Sequence, residues 1–529
     1  MNVLFAGQRA TLRATIDAQL AQLPSSQSGV AAGRPAESLP MLVVDDGHRG
    51  PVSSRSAVAL PAPSATDRSV VRTPTSVSAR PPQRLLARSG PWLAAGAVVA
   101  LVGTIGARYA FSGDGASAAS RGGPGATAAL SAAAAVASTA PRSVVRGVTD
   151  TEVVLGMSAA FSGPARDYGI RMKVGVETAL AAQNAHGGVA GRKLTLVALD
   201  DGYDSKRVGE SMRQLVEDRG VFAFVGNTGT ATSAIAAPYS VSKKSVFFGA
   251  FSGSGVLRRD PPDRYVFNYR PSYEEETGRM VRYLMDVKKA PADGIVIFAQ
   301  KDAFGDAGFE GAARALRRYG RSDSQLFRVG YERNSLDVDA AVADIARHNA
   351  EVTPGPNDTY RLRHPVSAVL IVAVSKPAAK FIQKLAARDL HPLLLATSAS
   401  VGVNEELKEA GGLGAGRGMV MTQIVPHFDS GGSGVIRYRE ALSAFFPGEH
   451  PDPVSLEGYI AATLFTEGLK RAGRDLDSEK LVEAFEGLHD LDLQVGSILS
   501  FGPSEHQASH KVWGTAMDED GNFKPLDLE

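Results

Sequence analysis

Residues 191–240 read GRKLTLVALDDGYDSKRVGESMRQLVEDRGVFAFVGNTGTATSAIAAPYS. Two short apolar runs, 193–200 (KLTLVALD) and 221–226 (VFAFVG), are each followed by a longer stretch with helical spacing, 205–219 and 232–243. Strands that are almost continuously apolar and joined by helices predict a parallel sheet covered on both faces.

The same alternation extends in both directions. Upstream, 152–158 (EVVLGMS) has strand character and 166–185 helical character, and downstream 245–250 (SVFFGA) is another strand candidate. Helices at 273–288, 304–319 and 377–389 then alternate with strands at 294–298, 367–375 and 392–397. About 380 residues of such sequence exceed what one hydrophobic core supports, so two α/β lobes are expected. In open parallel sheets the loops after the strands form the ligand crevice. Three of these loops, 161–163 (FSG), 226–233 (GNTGTATS) and 251–255 (FSGSG), are rich in hydroxyls and free backbone N–H groups. One such loop alone would be a helix cap. Three in one half of the fold point to a site for a carboxylate or another anionic or polar head group.

The sequence before this region has a different composition. The 529 residues carry 57 basic and 56 acidic side chains and no cysteine. Residues 1–88 hold ten Arg, no Lys and five acidic residues, a net of +5, leaving 47 basic against 51 acidic over 89–529, a net of −4. The near-neutral total argues against a nucleic-acid partner. The lack of Cys excludes disulfides, thiolate metal sites, a Cys nucleophile and a lipidated Cys. Between Arg88 and Arg108 lie nineteen uncharged residues, SGPWLAAGAVVALVGTIGA. As a helix they span about 28 Å, close to the hydrocarbon thickness of a bilayer. With Trp92 and Tyr109 at its ends, 89–109 is expected to be a transmembrane signal anchor, and Arg80, Arg84 and Arg88 place the N-terminus in the cytoplasm. Residues 1–88 are then a mostly disordered cytoplasmic tail, with one stretch of helical spacing at 2–23. Residues 110–146 form a Gly/Ala/Ser-rich linker, and 147–529 an extracytoplasmic domain in the periplasm.

Enzyme readings find little support. His506 and His510 have no HExxH motif and no acidic cluster at ligand spacing, so no metal or other cofactor is expected. Ser252 is flanked at two residues by Ala250 and Ser254 where a nucleophile elbow needs glycines. The GGLGAGRG of 411–418 lacks the GxGxxG spacing. Asp200 and Asp201 suit turn and cap roles, and the acids Glu274 to Glu276 suit the start of a helix, where negative charge meets the dipole.

Motifs that are weak singly form an ordered set: GGVAGRKLTLVALDDGYDSKR (187–207), FVGNTGTATSAIAAPYS (224–240), FFGAFSGSGVLR (247–258), FNYRPSYEEET (267–277), DAFGDAGFEGAARAL (302–316), SLEGYIAATLFTEGLKRAG (455–473) and FGPSEHQASHKVWGTAMDEDGNF (501–523). From about Val148 to the C-terminus this resembles the leucine/isoleucine/valine-binding-protein family, the type I periplasmic solute-binding proteins of ABC importers. The resemblance implies a clamshell of two parallel-sheet lobes joined by three hinge crossings, with lobe one at 148–268 plus 424–498 and lobe two at 269–423 plus 499–529. It implies a ligand carboxylate at Thr230, with Thr228 and Gly229 beside it, and at Ser252 and Gly253. The first loop contributes Ser162 and Tyr168, and lobe two contributes Phe304 and Ser398. Amino-acid binders place an acid after the strand of LLLATSAS, where this chain has Thr397, Ser398, Ala399 and Ser400. Either another acid, such as Asp302, answers the ammonium, or the ligand is no α-amino acid. A carboxylate, an amide and an aromatic acid are the other candidates, with an ABC permease as the implied partner. A ligand-sensing ectodomain, reporting through the anchor to the tail, is the competing expectation.

Overall fold

The computed structural model describes residues 144–323, 326–351 and 365–529, all within the compact unit Thr139–Glu529. The expected tail, the membrane segment 89–109 and the linker up to residue 143 lie outside the described residues. Among those described, no helix is long and apolar enough to cross a membrane.

The first half of the unit builds a five-stranded parallel sheet. β1 (Glu152–Ala159) is followed by α1 (Arg166–Ala185), β2 (Lys193–Asp200), α2 (Ser205–Arg213), β3 (Ala223–Val225), α3 (Thr230–Ser242), β4 (Phe247–Phe248) and β5 (Val266–Phe267). The strand order is β2-β1-β3-β4-β5, and β1 pairs with β2 in register from Glu152–Lys193 to Ala159–Asp200. α4 (Tyr273–Arg282), β6 (Ile295–Gln300), α5 (Ala303–Arg317), β7 (Phe327–Tyr331), α6 (Asp339–Glu351), β8 (Ala368–Val372), α7 (Ser375–Ala386), β9 (Leu393–Ala396), α8 (Val403–Glu409) and β10 (Val420–Gln423) belong to a second sheet. The chain then returns to the first lobe with α9 (Ser433–Phe445), α10 (Pro453–Ala472), α11 (Ser478–Glu486) and the short pair β11 (Leu491–Asp492) and β12 (Ile498–Leu499). It ends in the second sheet with β13 (Trp513–Met517) and β14 (Phe523–Leu526). That sheet has the order β14-β13-β10-β9-β8-β6-β7. Its last two strands are antiparallel, which corrects the all-parallel expectation. β13 re-enters this sheet from the third passage running opposite to β10, and the tight turn closed by Asp518 and Asn522 then brings β14 straight back alongside β13.

Helix starts follow the caps in the sequence. Asp204, Asp302, Asp452 and Asp477 each accept a backbone N–H from the first turn of the helix that follows. Ser272 and Glu275 form a reciprocal capping box at α4. Each lobe has its own aromatic core. Phe248, Phe267, Phe485 and Phe501 pack together in lobe one, and Phe298 stacks on Phe381 at 3.8 Å in lobe two. α1 and α10 come so close that a Cβ on Gly175 would lie 1.9 Å from the Ser455 carbonyl oxygen.

The chain passes between the sheets three times, after β5, after β10 and after β12, and the three passages are bonded together. Asn268 N–H donates to the His506 carbonyl at 2.7 Å, and Ala508 N–H donates to the Asn268 carbonyl at 2.8 Å. Ser509 N–H reaches the Tyr269 carbonyl at 3.0 Å, and the Tyr269 hydroxyl donates to the Ile424 carbonyl at 3.3 Å.

Candidate functional site

A cavity of about 30 Å³, room for about two water molecules, lies between the lobes where loops after the strands of both sheets meet. Lobe one contributes Tyr168, Tyr203, Phe251 and the turn Thr228, Gly229 and Thr230. Lobe two contributes Tyr273, Phe304, Val374 and Ala399. With Ala160 and Ala165 of lobe one the lining has twelve residues, five of them aromatic, so rings form a large part of the wall.

The polar part is the start of α3. As at any helix N-terminus, the amides of its first turn have no carbonyl behind them in the helix, and the dipole makes them favourable to negative charge. Gly229 sets the geometry. Its φ is +94°, and a Cβ there would lie 2.3 Å from the Tyr203 ring, so only glycine serves both the turn and the ring. The Thr230 hydroxyl is 2.8 Å from the Ser252 hydroxyl, and the Thr228 hydroxyl accepts from Ala160 N–H at 3.1 Å.

Of the residues expected from sequence, Tyr168, Thr228, Gly229, Thr230 and Phe304 line this cavity. Ser252 and Gly253 sit behind it: Ser252 holds Thr230, and the Gly253 carbonyl receives Tyr273 N–H at 2.8 Å. Ser162 does not line it, because its hydroxyl donates to Asp200 at 2.7 Å. Burial opposes ionisation of Asp200, but bonds from Ser162, Phe161 N–H and Arg207 outweigh it and hold the carboxyl down at about 2. Asp200 and its neighbour Asp201 hold the turn, accepting Gly202 N–H and Tyr203 N–H at 2.9 Å each, while the cap of α2 that was expected of them is Asp204. Ser398 faces away too, since both its N–H and its hydroxyl donate to Glu276, at 2.8 and 3.0 Å. The aromatic residues Tyr203, Phe251 and Tyr273, with Val374 and Ala399, were not singled out from sequence. Phe251 and Tyr203 each directly follow quoted loop motifs or lie within them, which is the signal that was there to use.

Closure is stitched by contacts across the gap. The Tyr168 hydroxyl donates to the Ala399 carbonyl at 2.8 Å and accepts from Ser375 N–H at 2.7 Å. The Tyr203 hydroxyl accepts from Gln300 Nε2 at 3.1 Å, and Arg171 pairs with Glu405 at 2.7 Å.

Beneath the cavity floor lies a buried charge cluster. Arg270, 1% exposed, pairs with Glu276 at 3.2 Å and with Glu457 at 3.5 Å. Glu276 also receives the Thr422 hydroxyl at 2.6 Å. These residues come from the first passage between lobes, from α4, from α10 and from β10 of the second sheet. The Arg270 guanidinium lies 4.8 Å from the centre of the Phe251 ring and 5.5 Å from that of Tyr273.

Burial pushes the Glu457 carboxyl up to about 7, with Arg270 opposing the rise. The unfolded chain would release that proton near pH 4.3. Between those values the folded state holds more protons than the unfolded one, so this contribution to stability is full at low pH and lost as pH rises towards 7. Asp201, raised by burial to about 6, acts in the same direction. Urea unfolding between pH 5 and 7.5 should therefore show stability falling with pH, and Glu457→Gln should flatten that slope. An unchanged slope in the variant would remove Glu457 as its source.

Comparison with known proteins agrees with this architecture. A sequence model of the family described as periplasmic binding protein matches residues 152–522. Leu/Ile/Val-binding protein homolog 7 of Brucella abortus is 26% identical over 210 residues, covering 38% of this chain and 51% of that protein. The chain thus spans about half the length of that relative. Leu/Ile/Val-binding protein BraC3 of Rhizobium johnstonii is 24% identical over 360 residues, 66% of this chain and 87% of that one. The crystal structure of a possible leucine/isoleucine/valine-binding protein from Rhodopirellula baltica SH 1 superposes with a TM-score of 0.65 at 34% identity, covering 72% of this chain and 97% of that chain. These relatives are named for binding and not for catalysis. With 152–522 matched and the two-sheet fold in place, the chain belongs to the periplasmic binding protein family, in its leucine/isoleucine/valine-binding-like, type I form.

Proposed function

We propose that this protein captures a small carboxylate-bearing solute between its lobes, outside the cytoplasm, and hands it to an ABC-type permease for import. The observation that carries the binding step is the open first turn of α3, with Thr230 beside it, facing a ring-walled cavity to which both lobes contribute. The carboxylate is held by first-turn amides and the Thr230 hydroxyl, and the rings take the apolar body. A solute held by both lobes favours the closed state by the contacts it makes only there. The uncharged segment 89–107 supports a membrane anchor for the domain, with the linker as its tether.

The test is calorimetric titration of the full chain with carboxylates, amino acids and amides, repeated on Thr230→Ala. Loss of one charge-assisted hydrogen bond is expected to weaken a carboxylate ligand about tenfold. Unchanged affinity would place the carboxylate elsewhere. Transport is tested separately, by solute uptake in cells that lack the gene.

A further inference from the structure

An amino acid brings an ammonium as well as a carboxylate, and a buried ammonium needs a countercharge. None of the residues lining the cavity is acidic. The acids just behind its walls are already engaged. Asp302 accepts Phe304 N–H at 3.0 Å and Gln300 Nε2 at 2.7 Å, with Arg333 at 3.7 Å. Asp201 accepts the Ser158 hydroxyl at 2.8 Å and Tyr203 N–H at 2.9 Å. Glu276 and Glu457 both face Arg270, and Glu276 holds Ser398 and Thr422 in addition.

The rings do not supply a cation site in place of an acid. An aromatic face attracts a cation, but three of the five rings already carry a guanidinium. Arg270 lies on Phe251 and Tyr273, and Arg333 lies 5.6 Å from the centre of Tyr203. Neither arginine lines the cavity, so the rings themselves separate it from both guanidinium groups. A ring already engaged by a guanidinium has less to offer a second cation, and the carboxylates nearby are taken up by those same arginines.

Resting on the solute-capture reading above, we infer that the cleft, once the lobes part beyond the two-water volume given above, selects a carboxylic acid without an ammonium group, its apolar or aromatic body lying against the rings. The cavity is thereby a site for organic acids on a fold shared with proteins named for amino acids. Arg333, partly exposed, is a specificity-determining residue: it holds Asp302 and lies against Tyr203 at the same time.

The experiment compares matched pairs by calorimetry on the full chain: phenylacetate against L-phenylalanine, and 4-methylpentanoate against L-leucine. Within each pair the carboxylate is common and the body nearly so, while the ammonium differs. The acid is expected to bind at least tenfold more tightly in the pair whose body fits. An amino acid binding as well as its acid, or better, overturns the inference and leaves solute capture standing. Failure of acids, amino acids and amides alike overturns capture itself. Arg333→Gln, which leaves the buried cluster around Arg270 untouched, should narrow the acid-to-amino-acid ratio severalfold by releasing the Asp302 carboxylate and freeing the Tyr203 ring of its cation. An unchanged ratio in a variant that still binds the acid overturns the role given to Arg333.

Discussion

Arg270→Met is expected to lower the unfolding free energy by about 3–5 kcal/mol, the range found when one partner of a buried ion pair is removed. Two carboxylates, Glu276 and Glu457, are 0% and 2% exposed and share this one guanidinium. Without it Glu457 can stay neutral by keeping its proton. Glu276 keeps its donors Ser398 and Thr422 but loses its countercharge. The side chain also packs against Phe251 and Tyr273, so a flexible apolar chain recovers some of the contact and none of the charge. Urea unfolding followed by circular dichroism measures the loss. Arg270→Lys should recover part of it, since an ammonium restores the charge but not the planar fork that reaches both acids. A loss under 1 kcal/mol in the methionine variant would mean that the cluster is not held together by this residue.

The second large effect is expected from Tyr168→Phe, and it falls on the open-to-closed equilibrium. One hydroxyl satisfies Ser375 N–H and the Ala399 carbonyl, both on the opposite lobe and both buried. With phenylalanine these two groups stay dry and unpaired in the closed state but are hydrated in the open one. At about 1–3 kcal/mol for each unsatisfied group, closure becomes less favourable by about 2–6 kcal/mol, and apparent affinity falls at least about thirtyfold. The phenyl ring keeps its place against Phe251, so folding stability should change far less than affinity. Titration calorimetry and small-angle scattering of free and liganded protein separate the two. Equal losses in stability and affinity would contradict a latch.

The α/β character was legible because buried parallel strands leave an unbroken apolar record, as in IVIFAQ of β6 and AVLIV of β8. Helix starts were legible through caps such as Asp302 and the Ser272–Glu275 box. Strand ends were not: 245–250 shrinks to Phe247–Phe248 because only those two residues pair with neighbours. The helix expected at 205–219 is regular only to Arg213, after which a wider turn, Gln214–Asp218, leads towards β3. Strand β14, FKPL, carries a lysine and a proline and has no period that marks it. At the site, the small polar turn of Thr228 to Thr230 announced itself by composition. The buried cluster did not, because Arg270, Glu276 and Glu457 come from distant segments, Glu457 lying 187 residues beyond Arg270. In the sequence Glu276 looks the same as Glu274 and Glu275, yet of the three only Glu276 is buried.

The route of the chain also bears on its birth. Arg192, beside β2, donates to the carbonyl of Arg474, 282 residues later, and α1 is covered by α10. The N-terminal lobe therefore cannot finish while the ribosome is still making its far half. The α1 surface around Gly175 waits uncovered while the second sheet up to β10 is synthesised. Neither lobe is therefore complete until the last part of the chain is made, α10 covering the first and β13 with β14 extending the second sheet. A stalled or truncated chain ending before α10 exposes that surface to chaperones and proteases, even though a large part of the other lobe has already been made.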